Sequence, residues 1–167
     1  MTDRAIFNRI YTSFQPGSTP VWLVNGAGVT TSPSPTVDFI AGVNLIQGQV
    51  VYVSGTYVLP ASAASGVPSA LYNPIGITTA AATAAATVPV NLDYTIVVSA
   101  ANITAESTLV PGEYYYLSKY AGQLTRFTTT SGDITVSGGY AALVGLGQAL
   151  STSELEIEID PPIIIYS

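Results

Sequence analysis

The sequence predicts an all-β protein, and three features carry that prediction. Its large aliphatic residues are rich in Val and Ile and it holds 11 Tyr, side chains that suit a pleated surface better than a helix. Its 11 Pro and 15 Gly interrupt the chain often, as many short strands joined by turns require. From about residue 37 the chain also repeats itself. The expected architecture is an antiparallel sandwich or barrel of about eight to nine strands from two similar halves, preceded by an N-terminal extended arm.

Residues 1–36 read as that arm and its linker. Ile6, Phe7, Ile10, Tyr11 and Phe14 fall on one side of a short amphipathic helix or irregular apolar segment. Pro16-Gly17 and Pro20 then break the chain, Trp22 sits in a short strand Val21–Val24, and Asn25-Gly26 turns it. Gly26-Ala27-Gly28 lacks the third glycine of a dinucleotide fingerprint and reads as part of that turn. Pro33 and Pro35 make the exit an extended linker. A small core cannot easily absorb this segment, so Ile6, Phe7, Ile10, Tyr11, Phe14 and Trp22 are expected to dock on a partner; the alternative is a first strand added to the domain edge.

The β domain is expected over 37–160, with one half at about 37–93 and the other at about 100–160. Gly48–Ser54 matches Gly112–Ser118, Ile75-Gly76-Ile77 matches Val144-Gly145-Leu146, and Val88–Asp93 matches Leu155–Asp160, at offsets of 64, 69 and 67 residues. Tyr94–Ser99 is expected as a strand between the halves. Thr78–Thr87, nearly all Ala and Thr, reads as a loop with strand character. Pro89 predicts an edge position or a strand start, because proline donates no ladder hydrogen bond. In the closing strand, alternation puts Leu155, Ile157 and Ile159 on one face and Glu154, Glu156 and Glu158 on the other.

The last segment, 161–167, is an apolar tail. Pro161 and Pro162 end the alternation, and Ile163, Ile164, Ile165 and Tyr166 follow. β-Branched residues favour extended chain, so the tail is expected to add to, or lie on, a neighbouring subunit. The competing expectation is that it folds back over its own core.

Only 8% of residues are charged, against about 25% in an ordinary soluble domain. The net charge is −6, and the cations are Lys119, Arg4, Arg9 and Arg126 alone. Four scattered cations cannot build the basic face that nucleic acid or an anionic membrane surface requires. No run is long enough to be a membrane-spanning helix, and Met1–Arg9 has no apolar core of a secretory signal.

The residues needed for most catalytic sites are missing. The absence of His and Cys removes the common general base, nucleophile pairs and thiolate or imidazole metal sites. Ser118 and Lys119 are adjacent, and strand neighbours point to opposite faces, which argues against a dyad. The ten acids show no motif that would draw two of them into a cleft for glycoside hydrolysis. A straight row of Glu154, Glu156 and Glu158 suits a solvated strand face better than a Ca²⁺ site, whose oxygens must converge. Tyr114-Tyr115-Tyr116 with Tyr120 reads as a sheet with one ring in the core and others at a subunit contact, or as a stacking surface for sugars. The expectation is a protein with no catalytic residue, metal or cofactor.

The matched segments Gly48–Ser54, Pro74-Ile75-Gly76-Ile77, Gly112–Ser118 and Val144–Ser151, leading into a closing strand, resemble small β modules of tailed-phage virions. Such modules occur in head decoration (cement) proteins, head fibres and tail-fibre domains. The resemblance covers about residues 40–160 and implies a homotrimeric or otherwise oligomeric part bound to the major capsid protein or a tail. Synthesis in a host cytoplasm and release by lysis would also reconcile an outward-facing composition with no secretory signal. The short chain, without long fibrous repeats, favours a decoration protein on the capsid surface. A head-fibre or tail-fibre module is the alternative, and a glycan-binding domain the third.

Overall fold

The computed structural model describes residues 36–98, 102–104, 106–126 and 138–165, all within the unit Ser34–Ser167. The arm expected over 1–36 lies outside them except for Thr36, which opens a strand instead of closing a linker. The described residues are all-β apart from one 3-10 turn at Ser69–Tyr72. In chain order the strands are β1 Thr36–Ala41, β2 Val50–Ser54, β3 Tyr57–Pro60, β4 Gly76–Thr78, β5 Thr87–Asn91, β6 Tyr94–Val97 and β7 Tyr114–Leu117. There follow β8 Leu124–Arg126, β9 Ala142–Leu143, β10 Gly145–Ala149, β11 Glu154–Ile157 and β12 Ile163–Ile164.

The first five strands form a closed barrel in the order β1-β3-β2-β4-β5. Five strands cannot alternate direction all the way round a ring, so one neighbouring pair must run parallel. That pair is β1–β3, with Ile40 opposite Tyr57 and Ala41 opposite Val58. It corrects the wholly antiparallel expectation. The barrel interior is filled by small residues, Ala41, Val51, Val58, Val88 and Val90, with Leu45 at one end, as a narrow barrel requires.

The next five strands form a sheet in the order β6-β11-β10-β7-β8. Read round the ring from β1, the first order is β1-β5-β4-β2-β3, so the two sheets match strand for strand. The registers agree as well. Thr87 stands opposite Ile40 in one sheet and Glu154 opposite Val97 in the other. Where β1 and β3 close the ring, the second sheet has a lone parallel bridge between Ile103 and Leu124. Tyr94–Val97 is therefore the β1 counterpart of the second half, and not a strand between halves.

The second sheet's apolar face and part of the first half's surface share one core. Tyr115, Leu117, Leu124, Leu146, Leu155 and Ile157 cluster with Val50, Tyr52, Ala61 and Ile77. Backbone hydrogen bonds fasten the two together. The Val50 N–H donates to Gly122 O at 3.1 Å, the Gly122 N–H to Ala61 O at 2.7 Å, and the Ala63 N–H to Ser118 O at 3.0 Å. Asn102 adds a side-chain bond to Gln47 O at 2.7 Å.

Two local readings resolve in different ways. Within Thr78–Thr87 the two end residues belong to β4 and β5, and the loop between them is held by reciprocal bonds between Leu45 and Ala82 and turned at Ala85 with φ 67°. Pro89 is neither an edge residue nor a strand start, since β5 pairs with both β1 and β4. A residue's N–H and C=O leave an antiparallel strand on the same side. The Pro89 carbonyl accepts from the Thr79 N–H, so its nitrogen faces the point where β4 has already ended at Thr78.

Candidate functional site

The outer face of the second sheet carries a groove. In β7, Tyr115 and Leu117 turn inward and are fully buried, so alternation sends Tyr114 and Tyr116 outward, where both are half-buried. Their ring centroids lie 5.5 Å apart, tilted at 57°. The neighbouring strand supplies Gly145 opposite Tyr116. A methyl there would lie 2.2 Å from Asp160 Oδ2 and 3.0 Å from the Tyr114 ring, so the glycine lets both side chains close in. Tyr116, Leu143, Gly145, Asp160, Pro161 and Ile163 line a shallow, mostly apolar groove of about 460 Å³.

Tyr114 is tied into its rim. Its hydroxyl faces Asp160 Oδ2 at 3.2 Å and Glu158 O at 3.3 Å, and donates its one proton to either. Burial, and then the nearby Asp160 carboxylate, push the phenol up to about 12. The phenol is therefore a donor at every ordinary pH, and not a base.

A second polar cluster anchors the loop before β7. The Tyr115 hydroxyl accepts from the Val110 N–H at 3.0 Å and donates to Glu106 Oε2 at 3.1 Å. The Arg126 guanidinium pairs with the other Glu106 oxygen. Burial, first, raises the Tyr115 pKa, and the Glu106 hydrogen bond raises that of Arg126. Every group here is satisfied by its neighbours, which suits an anchor.

The structure separates the adjacent Ser118 and Lys119. Ser118 is buried, its hydroxyl 2.7 Å from that of Thr104. Lys119 Nζ donates to Gly138 O at 2.8 Å and lies 5.6 and 5.8 Å from the ring centroids of Tyr120 and Tyr140. Glu154, Glu156 and Glu158 are exposed beside buried Leu155 and Ile157, as the alternation predicts. Among the described residues no three acids converge on a point that would hold a metal ion.

The expected partner-contact residues divide into two groups. Ile6, Phe7, Ile10, Tyr11, Phe14, Trp22 and Tyr166 lie outside the described residues. In the tail, Ile163 pairs with Leu143 and Ile164 with Ala142 in its own chain, and the Ile165 N–H donates to Ala141 O at 2.9 Å. The tail's backbone thus pairs within its own chain, and Ile165 packs against the shared core. Ile163 nonetheless remains 64% exposed at the groove, and Ile164 is exposed beside it.

The groove was only half legible in the sequence. The tyrosine run was a visible signal, whereas Gly145, Leu143 and Asp160 join it through pairings that spacing alone does not reveal. No protein-family model matches this chain, and no curated protein matches it.

Proposed function

We propose that this chain is a non-enzymatic virion structural protein, a capsid decoration (cement) protein that self-associates, as a homotrimer, and bridges subunits of the major capsid protein. The observation that supports it best is where its exposed apolar side chains lie. Ile40 and Tyr57 face each other across the barrel seam, while Ile163, on the β9–β12 pair, and Tyr116 of β7 line the groove. Two separate sticky surfaces on one small body are what a bridging protein needs, since each weak contact raises the effective concentration for the next. The low charge, the two-half β body and the resemblance of its repeated segments to tailed-phage modules agree with this reading. No nucleic acid, membrane or cofactor enters it.

Quantitative mass spectrometry of purified virions that carry this protein tests the proposal. Hundreds of copies per shell are expected, with labelling over the whole head. A handful of copies at one vertex or on the tail would favour the head-fibre or tail-fibre reading.

A further inference from the structure

We propose that copies of this chain join head to tail, with the β2–β3 hairpin tip of one copy seated on the outer face of β7 in the next. The chain itself contains the precedent. Its β7–β8 turn already packs against the first half at Gln49 and Val50. Gly122 of that turn is buried, and the Gln49 side chain lies 3.2–3.3 Å from where a Gly122 Cβ would be. Val50 donates to the Gly122 carbonyl, and the Ser62 hydroxyl donates to Lys119 O at 2.8 Å.

Each half carries both parts of this junction. The counterpart of Gly122, 67 residues earlier, is Gly55. Both turns need a positive φ, 76° and 64°, but a Cβ at Gly55 would meet nothing within 4 Å. Gly55 is flanked by Val53 and Tyr57, which are 40% and 48% exposed. The counterparts of Gln49 and Val50, 64 residues later, are Glu113 and Tyr114. There the outer face ends in the groove of Tyr116, Gly145 and Ile163. The first half therefore offers a bare hairpin tip, and the second half the counterpart of the face on which such a tip already rests within the chain.

The tail adds an independent sign. Leu92-Asp93, followed after two residues by Ile96-Val97-Val98, leads the chain from the first half into the second. Ile159-Asp160, followed after two residues by Ile163-Ile164-Ile165, repeats that pattern 67 residues later, beside the groove. Because tip and groove are different surfaces, the contact is heterologous. Repeated contacts of that kind close into a ring if the rotation allows and otherwise extend as a filament. A ring of three would satisfy the trimer of the functional reading, on whose self-association this inference rests.

The absence of native cysteine makes the test clean. Thr56→Cys and Glu113→Cys, both at exposed positions, are made separately in the full-length protein and treated with a mild oxidant. A disulfide-linked dimer is expected when the two variants are mixed, and not from either alone. The double variant should give linked rings or ladders. Tyr57→Asp should shift the native mass to that of a monomer without changing the β-sheet circular dichroism. Linkage of one variant to itself in equal yield, an oligomer that never cross-links in the mixture, or a protein monomeric throughout would each overturn the interface. Tyr116-dependent retention of a soluble polysaccharide by a monomer would overturn it and assign the groove to sugars. A monomer that still coats capsids removes this interface and the trimer but leaves the decoration role standing, whereas an assembled ring that ignores capsids removes the decoration role alone.

Discussion

The two halves of this molecule share a strand order but close it differently, and their inward residues show why. Val51, Val88 and Val90 point into the first barrel, while the matching positions of the second half are Tyr115, Leu155 and Ile157. Larger inward side chains need a wider interior. The first sheet shuts through two consecutive parallel pairs, while the second meets its far edge at one bridge. The larger interior is completed with the outer face of the finished ring, which supplies Val50, Tyr52 and Ile77. One plan thus yields a self-contained barrel and a sheet that borrows its neighbour's surface, and side-chain volume decides between them.

Substitutions at the glycines test that comparison most severely. Gly147 has φ 140°, and a methyl there would meet the Glu156 carbonyl oxygen at 1.8 Å. Gly147→Ala should therefore cost upward of about 3 kcal/mol, at or above the usual overpacking range, and leave little folded protein by circular dichroism. The equivalent pair Gly76 and Gly145 should behave unequally. At Gly76 the added methyl meets backbone, the Asn91 oxygen at 2.3 Å, and Val90 Cγ1 at 2.8 Å. At Gly145 its nearest obstacle is the exposed Asp160 carboxylate, which can swing away. Urea unfolding should show a loss of about 1–3 kcal/mol for Gly76→Ala and under about 1 kcal/mol for Gly145→Ala. The reverse order would break the comparison.

Smaller effects sharpen it. Glu106→Gln weakens the hold on Arg126 and on the Tyr115 hydroxyl, a cluster for which the narrow first barrel, with Val51 at that position, has no use. A loss of about 1–3 kcal/mol in thermal unfolding is expected. Truncation after Pro162 removes β12 and the cover that Ile165 gives the core, for about 1–2 kcal/mol, with β structure retained. The last effect is a titration. The Tyr114 phenol, at about 12 in the folded protein, stands above the unfolded value of about 10. Its contribution is therefore complete below pH about 10 and is lost as pH rises towards about 12. Tyrosinate absorbance should show a late-titrating group that Tyr114→Phe removes and Asp160→Asn shifts to lower pH.

How far the sequence carried the structure depended on the kind of signal. The repeat between Gly48–Ser54 and Gly112–Ser118 marked β2 and β7 correctly, and the alternation of Leu155 and Ile157 with glutamates gave the buried face of β11. These are local patterns. Closure of the first ring was not legible, because it depends on which strands become neighbours, and Tyr57 opposite Ile40 leaves no trace in spacing. Pro89 misled for the same reason, since its cost depends on where β4 stops. In the site, the tyrosines announced themselves, whereas Asp160 reaches Tyr114 only because the chain beyond β11 continues along β10, with the Asp160 N–H bonded to Gly145 O.

Closure of the first ring also sets an order of events during synthesis. Every strand of the barrel lies between Thr36 and Asn91, so the ring can shut as soon as residue 91 has left the ribosome. At about 5–20 residues per second, the rest of the second sheet, through Ile157, takes several seconds more to appear. In that interval Val50 and Ile77 stand on a finished, rigid wall. The second half is thus born beside the surface that completes its core, and the nascent chain has only one half to fold at a time.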